Sequence, residues 1–183
     1  MKSHKVMQEI IIQKVSVHIA EIKSPHLLET VRIYIENNKQ HFQDRSWTCN
    51  VKTSLGITKN ILYDVEEFKY LREEIEKIVR LHLYEHFKKS KPFAILDSWI
   101  NILQENGYQE PHTHGDCVSG VLYLSEENSD IEFLVFTNYN VDDIRQSLTP
   151  KKGQILLFDG KTYHRVIESK KERISLAFNM KVF

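Results

Sequence analysis

Two imidazoles and a carboxylate crowd into five positions in the stretch Tyr108-Gln-Glu-Pro-His112-Thr-His114-Gly-Asp116. On an extended backbone, side chains two residues apart point the same way, so His112 with His114, or His114 with Asp116, can grip one cation from one direction. Fifty residues after His114, a third histidine, His164, follows the apolar run Gln154 to Phe158 and an Asp159-Gly160 turn. In an antiparallel sandwich such distant segments lie side by side, which lets His164 complete a triad. Three protein ligands on one face leave open positions on a metal, the arrangement a non-haem iron needs to hold an oxidant and a chelating cosubstrate together. Zinc fits less well, because Cys49 and Cys117 are not placed to join the histidines.

Arg173 stands nine positions beyond His164, with Ser175 two further on, in the run Arg173-Ile-Ser-Leu-Ala-Phe-Asn. In a strand the two share a face, and a guanidinium with a hydroxyl beside it in a cleft is suited to a bidentate clamp on a carboxylate.

These groups need a scaffold, and its texture changes at Pro92. Beyond it lie short apolar runs separated by Gly, Asn, Asp and Pro: Phe93 to Leu103, Val118 to Leu124, Ile131 to Phe136, Gln154 to Phe158, His164 to Glu168 and Arg173 to Phe178. This spacing predicts an antiparallel sandwich or barrel. Before Pro92, alternation at Val15, Val17 and Ile19 predicts a strand. Ser24-Pro25 then opens a helix through Leu28, Val31 and Ile35, with Pro25 in the first position, where its missing N–H costs nothing. A longer helix is expected near 64–88, capped by Asp64 and Glu67, with an apolar stripe of Phe68, Leu71, Ile75, Ile78 and Val79 that must lie on something apolar. His82 and His86 fall on this helix and read as packed or surface histidines.

Composition sets the outer limits. A chain of 183 residues with 41% apolar, 10% aromatic and 27% charged residues suits one folded domain. We expect a single domain over 1–183, with 1–91 mainly helical support plus a strand and 92–183 the catalytic core. Acidic and basic residues balance at 25 each, so no global field draws the chain to nucleic acid or an anionic membrane. The lysines 88, 89, 91, 151 and 152 read as solvated turn residues. Two cysteines outside any C-x-x-C pair suit a reducing compartment, and neither a secretion signal nor a run of about 18 apolar residues is present. A soluble, cytoplasmic protein is expected.

The ordered set His112-Thr-His114, Ser119-Gly120-Val121-Leu122-Tyr123-Leu124, Pro150-x-x-Gly153, Leu157-Phe158, His164-x-Val166 and Arg173-Ile-Ser175-x-x-Phe178-Asn179 resembles the iron(II)- and 2-oxoglutarate-dependent oxygenases. Within them it looks like a bacterial and phage subgroup, which Trp99-Ile-Asn101 also fits; the likeness spans about Trp99 to Phe178. The resemblance implies an α+β fold with a double-stranded β-helix, or jelly roll, in the C-terminal half, buttressed by the N-terminal helices. It also implies Fe(II), 2-oxoglutarate as cosubstrate and O2, with ascorbate as an optional reductant. His164 would be the distal iron ligand, Arg173 the partner of the 2-oxoglutarate C5 carboxylate and Ser175 its helper. Tyr123 matches a position where related hydroxylases offer a phenol to the same carboxylate.

Most of the superfamily uses His-x-Asp, and two registers are open here, His112-x-His114 and His114-x-Asp116. The subgroup favours His112, His114 and His164, with Asp116 a fourth contact or a hydrogen-bond acceptor that orients an imidazole. The implied reaction is hydroxylation of an unidentified substrate, or demethylation through an unstable hydroxymethyl. The segments Leu103 to Pro111 and Thr137 to Ser147 are expected to shape the substrate mouth, with Asn138, Tyr139 and Asn140 in the second. Two other readings share the fold: a cupin-like metalloprotein acting as an isomerase or cosubstrate-free dioxygenase, which has no need of Arg173 and Ser175, and a non-catalytic jelly-roll binding module, which has no need of the histidines.

Overall fold

The computed structural model describes residues 15–44, 48–135 and 144–183. Its elements are β1 (Val17–Glu21), α1 (Pro25–Asn38), β2 (Thr48–Thr53), the single turn α2 (Ile61–Asp64), α3 (Lys69–Phe87), β3 (Phe93–His112), β4 (Val118–Tyr123), β5 (Ile131–Val135), β6 (Ile144–Leu148), β7 (Gln154–Asp159), β8 (Tyr163–Val166) and β9 (Arg173–Val182). The strands pair antiparallel in the order β1-β7-β4-β9-β3-β8-β5-β6, and β2 lies on β3. No helix among the described residues is long and apolar enough to cross a membrane.

The 20-residue strand β3 organises the rest. Its first half pairs with β9, from Phe93 opposite Val182 to Leu103 opposite Arg173, and its tip pairs with β8, where His112 faces His164. Register shifts between Ile95 and Asp97 and between Gln109 and His112 bend it, as bulges do. The sheet therefore curls over itself in the manner of a jelly roll. The Asn106-Gly107 pair, which reads as a turn, is instead absorbed within the strand: Asn106 adopts φ 61°, and a Cβ on Gly107 would lie 2.8 Å from the Asn50 carbonyl of β2. Turn and bulge use the same residues, so β3 runs well past the expected end at Leu103.

Alternation sorts the sheet into two faces. Ile100, Ile102, Leu122, Ile155, Leu157, Leu176, Phe178 and Met180 pack on Leu28, Val31 and Ile35 of α1 and on Leu71, Ile75, Val79 and Leu83 of α3. Each such side chain contributes about 1.5–3 kcal/mol on burial, so this face is the main source of stability. The residues between them turn into the curl.

The helices differ from expectation at their ends. Pro25 does open α1, but the Ser24 side chain makes no capping bond. The long helix starts at Lys69, because Val65 is extended (φ −106°, ψ 111°) and breaks the chain into α2, a 3-10 turn at Glu66–Phe68 and α3. Asp64 accepts the Asn60 N–H at 3.0 Å, closing α2 instead of capping α3. Two strands were not foreseen. β2 lies in a region without clear alternation, and β6 takes in the last four residues of the segment expected as a loop at Thr137 to Ser147, pairing from Val135 opposite Ile144 to Ile131 opposite Leu148. Asn138, Tyr139 and Asn140 lie outside the described residues.

Gly120 shows how tightly the helix-facing layer is filled: a Cβ there would stand 2.0 Å from the Phe178 ring. Gly120→Ala should lower stability by about 1–3 kcal/mol through overpacking, read as a lower urea midpoint at unchanged slope.

Candidate metal centre

The pairing of β3 with β8 sets His112 directly across from His164, and His114, two residues on, is fixed by its own N–H, which donates to the Gly160 carbonyl at 2.7 Å. One nitrogen from each of the three rings lies within 4.8 Å of the others, and the ring centroids are 4.4–5.1 Å apart. Nδ1 of His112 sits 2.7 Å from the Glu110 carbonyl, and Nδ1 of His164 sits 2.9 Å from that of Thr162. A carbonyl can only accept, so in both rings Nδ1 carries the proton and the lone pair resides on Nε2, the tautomer that ligates a metal. Burial holds all three below the usual histidine range, His114 at about 4 and His164 at about 3; a charge on His112 further opposes protonation of His114 and His164, and one on His114 opposes that of His164. At neutral pH the cluster is uncharged. Trp99 flanks His114 at 5.8 Å, and Phe158 flanks His164 at 4.8 Å.

Asp116 stands apart. It is exposed, and its carboxylate is held by Lys181 at 2.6 Å and Lys161 at 3.1 Å, hydrogen bonds that pull its pKa down to about 2. The structure thus brings together His112, His114 and His164 and leaves Asp116 outside, in the turn that follows. That turn is stitched to the loop before His164: Gly160 N–H donates to the Cys117 carbonyl, and a Cβ on Gly160 would lie 2.5 Å from Cys117 Sγ. Gly160 therefore holds the two ligand-bearing segments together, a role that the sequence signals only as an Asp-Gly turn.

Arg173 and Ser175 do share a face, and both are buried within the curl. Ser175 is flanked by Asn101 of β3 and Tyr123 of β4, and the Arg173 guanidinium lies 5.0 Å from the Tyr123 ring centroid. Arg173 is 2% exposed, yet among the described residues no carboxylate pairs with it. Its Nε and the Tyr123 hydroxyl have no hydrogen-bond partner there either. Burial lowers the Arg173 pKa and raises that of Tyr123. A sealed cation without a counter-charge is costly, and an anion beside it removes the cost. On β9, Ser175 is one two-residue step, about 7 Å, from the Ala177–Trp99 rung beside the histidines, and Arg173 is one step further.

A cavity of about 720 Å³ opens on His112 and His114, walled by Trp99, Asp97, Asn179, Glu110 and the Leu55 to Lys59 segment. Glu110 and Pro111 belong to the mouth expected from sequence. Leu55 to Lys59 and Asp97 do not, and sequence reasoning passed over them. The available signal was Leu55-Gly56-Ile57, where Gly56 takes φ 87° and leaves Ile57 exposed.

Residues 97–179 match the family described as "Putative 2OG-Fe(II) oxygenase". That stretch, which holds the three histidines with Tyr123, Arg173 and Ser175, is similar to a family of 2-oxoglutarate-dependent non-haem iron oxygenases, enzymes that work with Fe(II) and 2-oxoglutarate. Solved structures of similar fold include a Pseudomonas putida prolyl-4-hydroxylase, at 15% identity over 90% of this chain and 91% of that one, TM-score 0.65. Another is a Trichoplax adhaerens prolyl hydroxylase in complex with a hypoxia inducible factor oxygen degradation domain peptide fragment, at 12% identity over 90% and 82%, TM-score 0.67. A third is HygX from Streptomyces hygroscopicus with nickel, 2-oxoglutarate and hygromycin B bound, at 10% identity over 91% and 82%, TM-score 0.61. At these identities the likeness is one of fold. A search of the curated proteins finds no match. The chain's own residues fit the expected pair of groups: three neutral imidazoles for a divalent metal, and a buried guanidinium with no carboxylate partner among the described residues, beside a phenol, for an acid.

Two outcomes follow. Gly160→Ala should weaken Fe(II) or Mn(II) binding on the order of ten-fold or more while leaving the fold intact, as measured by titration and circular dichroism. The pH dependence of the metal-free protein has a definite sign. The pKa values of His112, His114 and His164, with that of His82 near 4, are depressed on folding, so the native state binds fewer protons. Their contribution is complete above about pH 6.5 and drains away toward pH 3–4. Urea midpoints in a chelating buffer should fall across that window, and His164→Gln should flatten the fall.

Proposed function

We propose that this chain is a hydroxylase that oxidises a C–H bond of a substrate held in the Trp99-walled cavity, with His112, His114 and His164 as iron ligands and Arg173, Ser175 and Tyr123 as the 2-oxoglutarate clamp. The observation that carries the reading is the buried, unpaired Arg173 on the same inner face as the neutral histidine cluster. A cupin-like metalloprotein has no use for that guanidinium, and a binding module has no use for the cluster. The prolyl hydroxylases of like fold support hydroxylation as the outcome. Cys49 and Cys117, both free thiols, are in keeping with a reducing, cytoplasmic setting. In this reading the helical half serves as support for one catalytic domain.

Bound iron and 2-oxoglutarate supply the oxidising power to insert one atom of O2 into a substrate C–H bond, the cosubstrate leaving as succinate and carbon dioxide. The protein's own residues supply placement. The carbonyls of Glu110 and Thr162 fix the tautomer and tilt of His112 and His164, so the metal's open side is set before anything binds. Arg173 offers charge and Ser175 and Tyr123 offer hydroxyls to the far carboxylate, which orients the acid along the inner face toward the histidines. Trp99, Phe158 and Phe133 line the metal's surroundings with apolar surface that keeps water away. Asp97, Glu110 and the Leu55 to Lys59 segment face the guest.

Succinate release from 2-oxoglutarate with Fe(II), uncoupled from a prime substrate, tests this directly. His164→Ala should abolish it. Arg173→Ala should raise the KM for 2-oxoglutarate by about 30- to 1000-fold, the equivalent of about 2–4 kcal/mol for a buried charge pair, and turnover untouched by that change overturns the reading. Asp116→Ala should leave iron affinity and turnover within about two-fold, since only surface ion pairs are lost; a collapse of iron binding in this variant would assign the other ligand register.

A further inference from the structure

A second group of imidazoles lies on the helix side of the sheet, wholly outside residues 97–179. His82 and His86 are four residues apart on α3, the spacing that sets two rings on one helix face and lets them chelate one cation. His18 projects from β1, which pairs with β7 through His18 opposite Leu157. The His18 and His82 ring centroids are 4.2 Å apart, and those of His82 and His86 are 6.2 Å apart. None of the three rings makes a hydrogen bond or ion pair among the described residues. All three line one cavity of about 380 Å³, whose wall also includes Cys117 and Asp159. Burial and its two histidine neighbours hold His82 near 4, so it is neutral and able to ligate at pH 7.

We propose that His18, His82 and His86 form a second, independent site for a borderline divalent cation of the zinc class, which clamps β1 to α3. Imidazole-only sites suit zinc, nickel and copper, and the cavity leaves room for water to complete the coordination. The iron-type cluster already gathers its nitrogens within 4.8 Å. This one is looser and closes when the exposed His86 side chain rotates off the Phe87 ring, which it touches at 4.7 Å. Its affinity is therefore lower than that of the first cluster. A bound cation would tie the sheet's outer strand, and through it β7 and the loop leading to His164, to the longest helix.

Zinc titration of the full chain against a chromophoric competitor tests the site. Wild type should bind two equivalents, the His82→Ala/His86→Ala variant one, and His164→Ala one, retained at the second cluster. Zinc should also raise the melting midpoint of His164→Ala, and this rise should vanish when His82→Ala and His86→Ala are added. His86→Ala alone, at an exposed position, guards against loss of fold and should weaken the second equivalent at least ten-fold. A single equivalent in wild type, or two retained in the His82→Ala/His86→Ala variant, overturns the proposal. Iron-dependent succinate formation by that variant reports separately on the oxygenase centre, so failure of one site is distinguishable from failure of the other.

Discussion

The pairing of His112 with His164 across β3 and β8 is the constraint on which the rest of the structure depends, because it sets two ligands 52 positions apart in the chain directly opposite each other. A strand slipped by one residue turns every side chain to the opposite face. What prevents the slip is far from the histidines: Ile100, Ile102, Leu176 and Phe178 must face α1 and α3, and a one-residue slip would drive Asn101, Ser175 and Arg173 into that apolar layer. The metal geometry is thus set by core packing on the other side of the same strands.

That arrangement has an energetic consequence. The inner face carries buried polar groups without full satisfaction: the Arg173 Nε, the Tyr123 hydroxyl, the Trp99 indole N–H and an oxygen of Asn101 have no partners among the described residues. Each lowers the stability of the ligand-free fold, and the guanidinium most of all. The helix-facing core offsets this. Ligands that satisfy those groups would stabilise the folded state by mass action, which couples occupancy of the inner face to the rigidity of the curl.

Much of the architecture was legible from the sequence, for reasons that differ by element. The strands from β4 to β9, apart from β6, announce themselves as short apolar runs between turn residues, and α1 by Pro25. The extension of β3 was hidden because Asn106-Gly107 serves a bulge as well as a turn, and β6 because a hairpin arm with exposed Arg145, Gln146 and Ser147 lacks an apolar face. The chemistry-bearing residues stand out through type and spacing, but the position of Asp116 does not. Its partners, Lys161 and Lys181, come from the turn after β7 and from β9, and only the folded chain brings them within reach. The Leu55 to Lys59 wall was hard to see for the same reason: beyond the exposed Ile57 after Gly56, no local pattern marks a connecting segment that becomes part of a cavity 38 or more positions upstream of the other residues lining it.

Placing Asp116 outside the cluster alters the charge balance of the proposed centre. A triad of neutral imidazoles contributes no negative charge to a divalent metal, whereas a carboxylate ligand would cancel half of it. Further along the same face, Arg173 adds a second positive charge, also without a protein counter-ion among the described residues. The inner face is therefore cationic at both ends once a metal is present, and apolar between them at Ala177 and Leu156. A short dicarboxylic acid complements that pattern better than a monoanion, which would leave one end uncompensated, or a neutral guest, which would leave both. The two lysines that hold Asp116 have a part in this balance: by keeping its carboxylate at the surface, they withhold one negative charge from the centre.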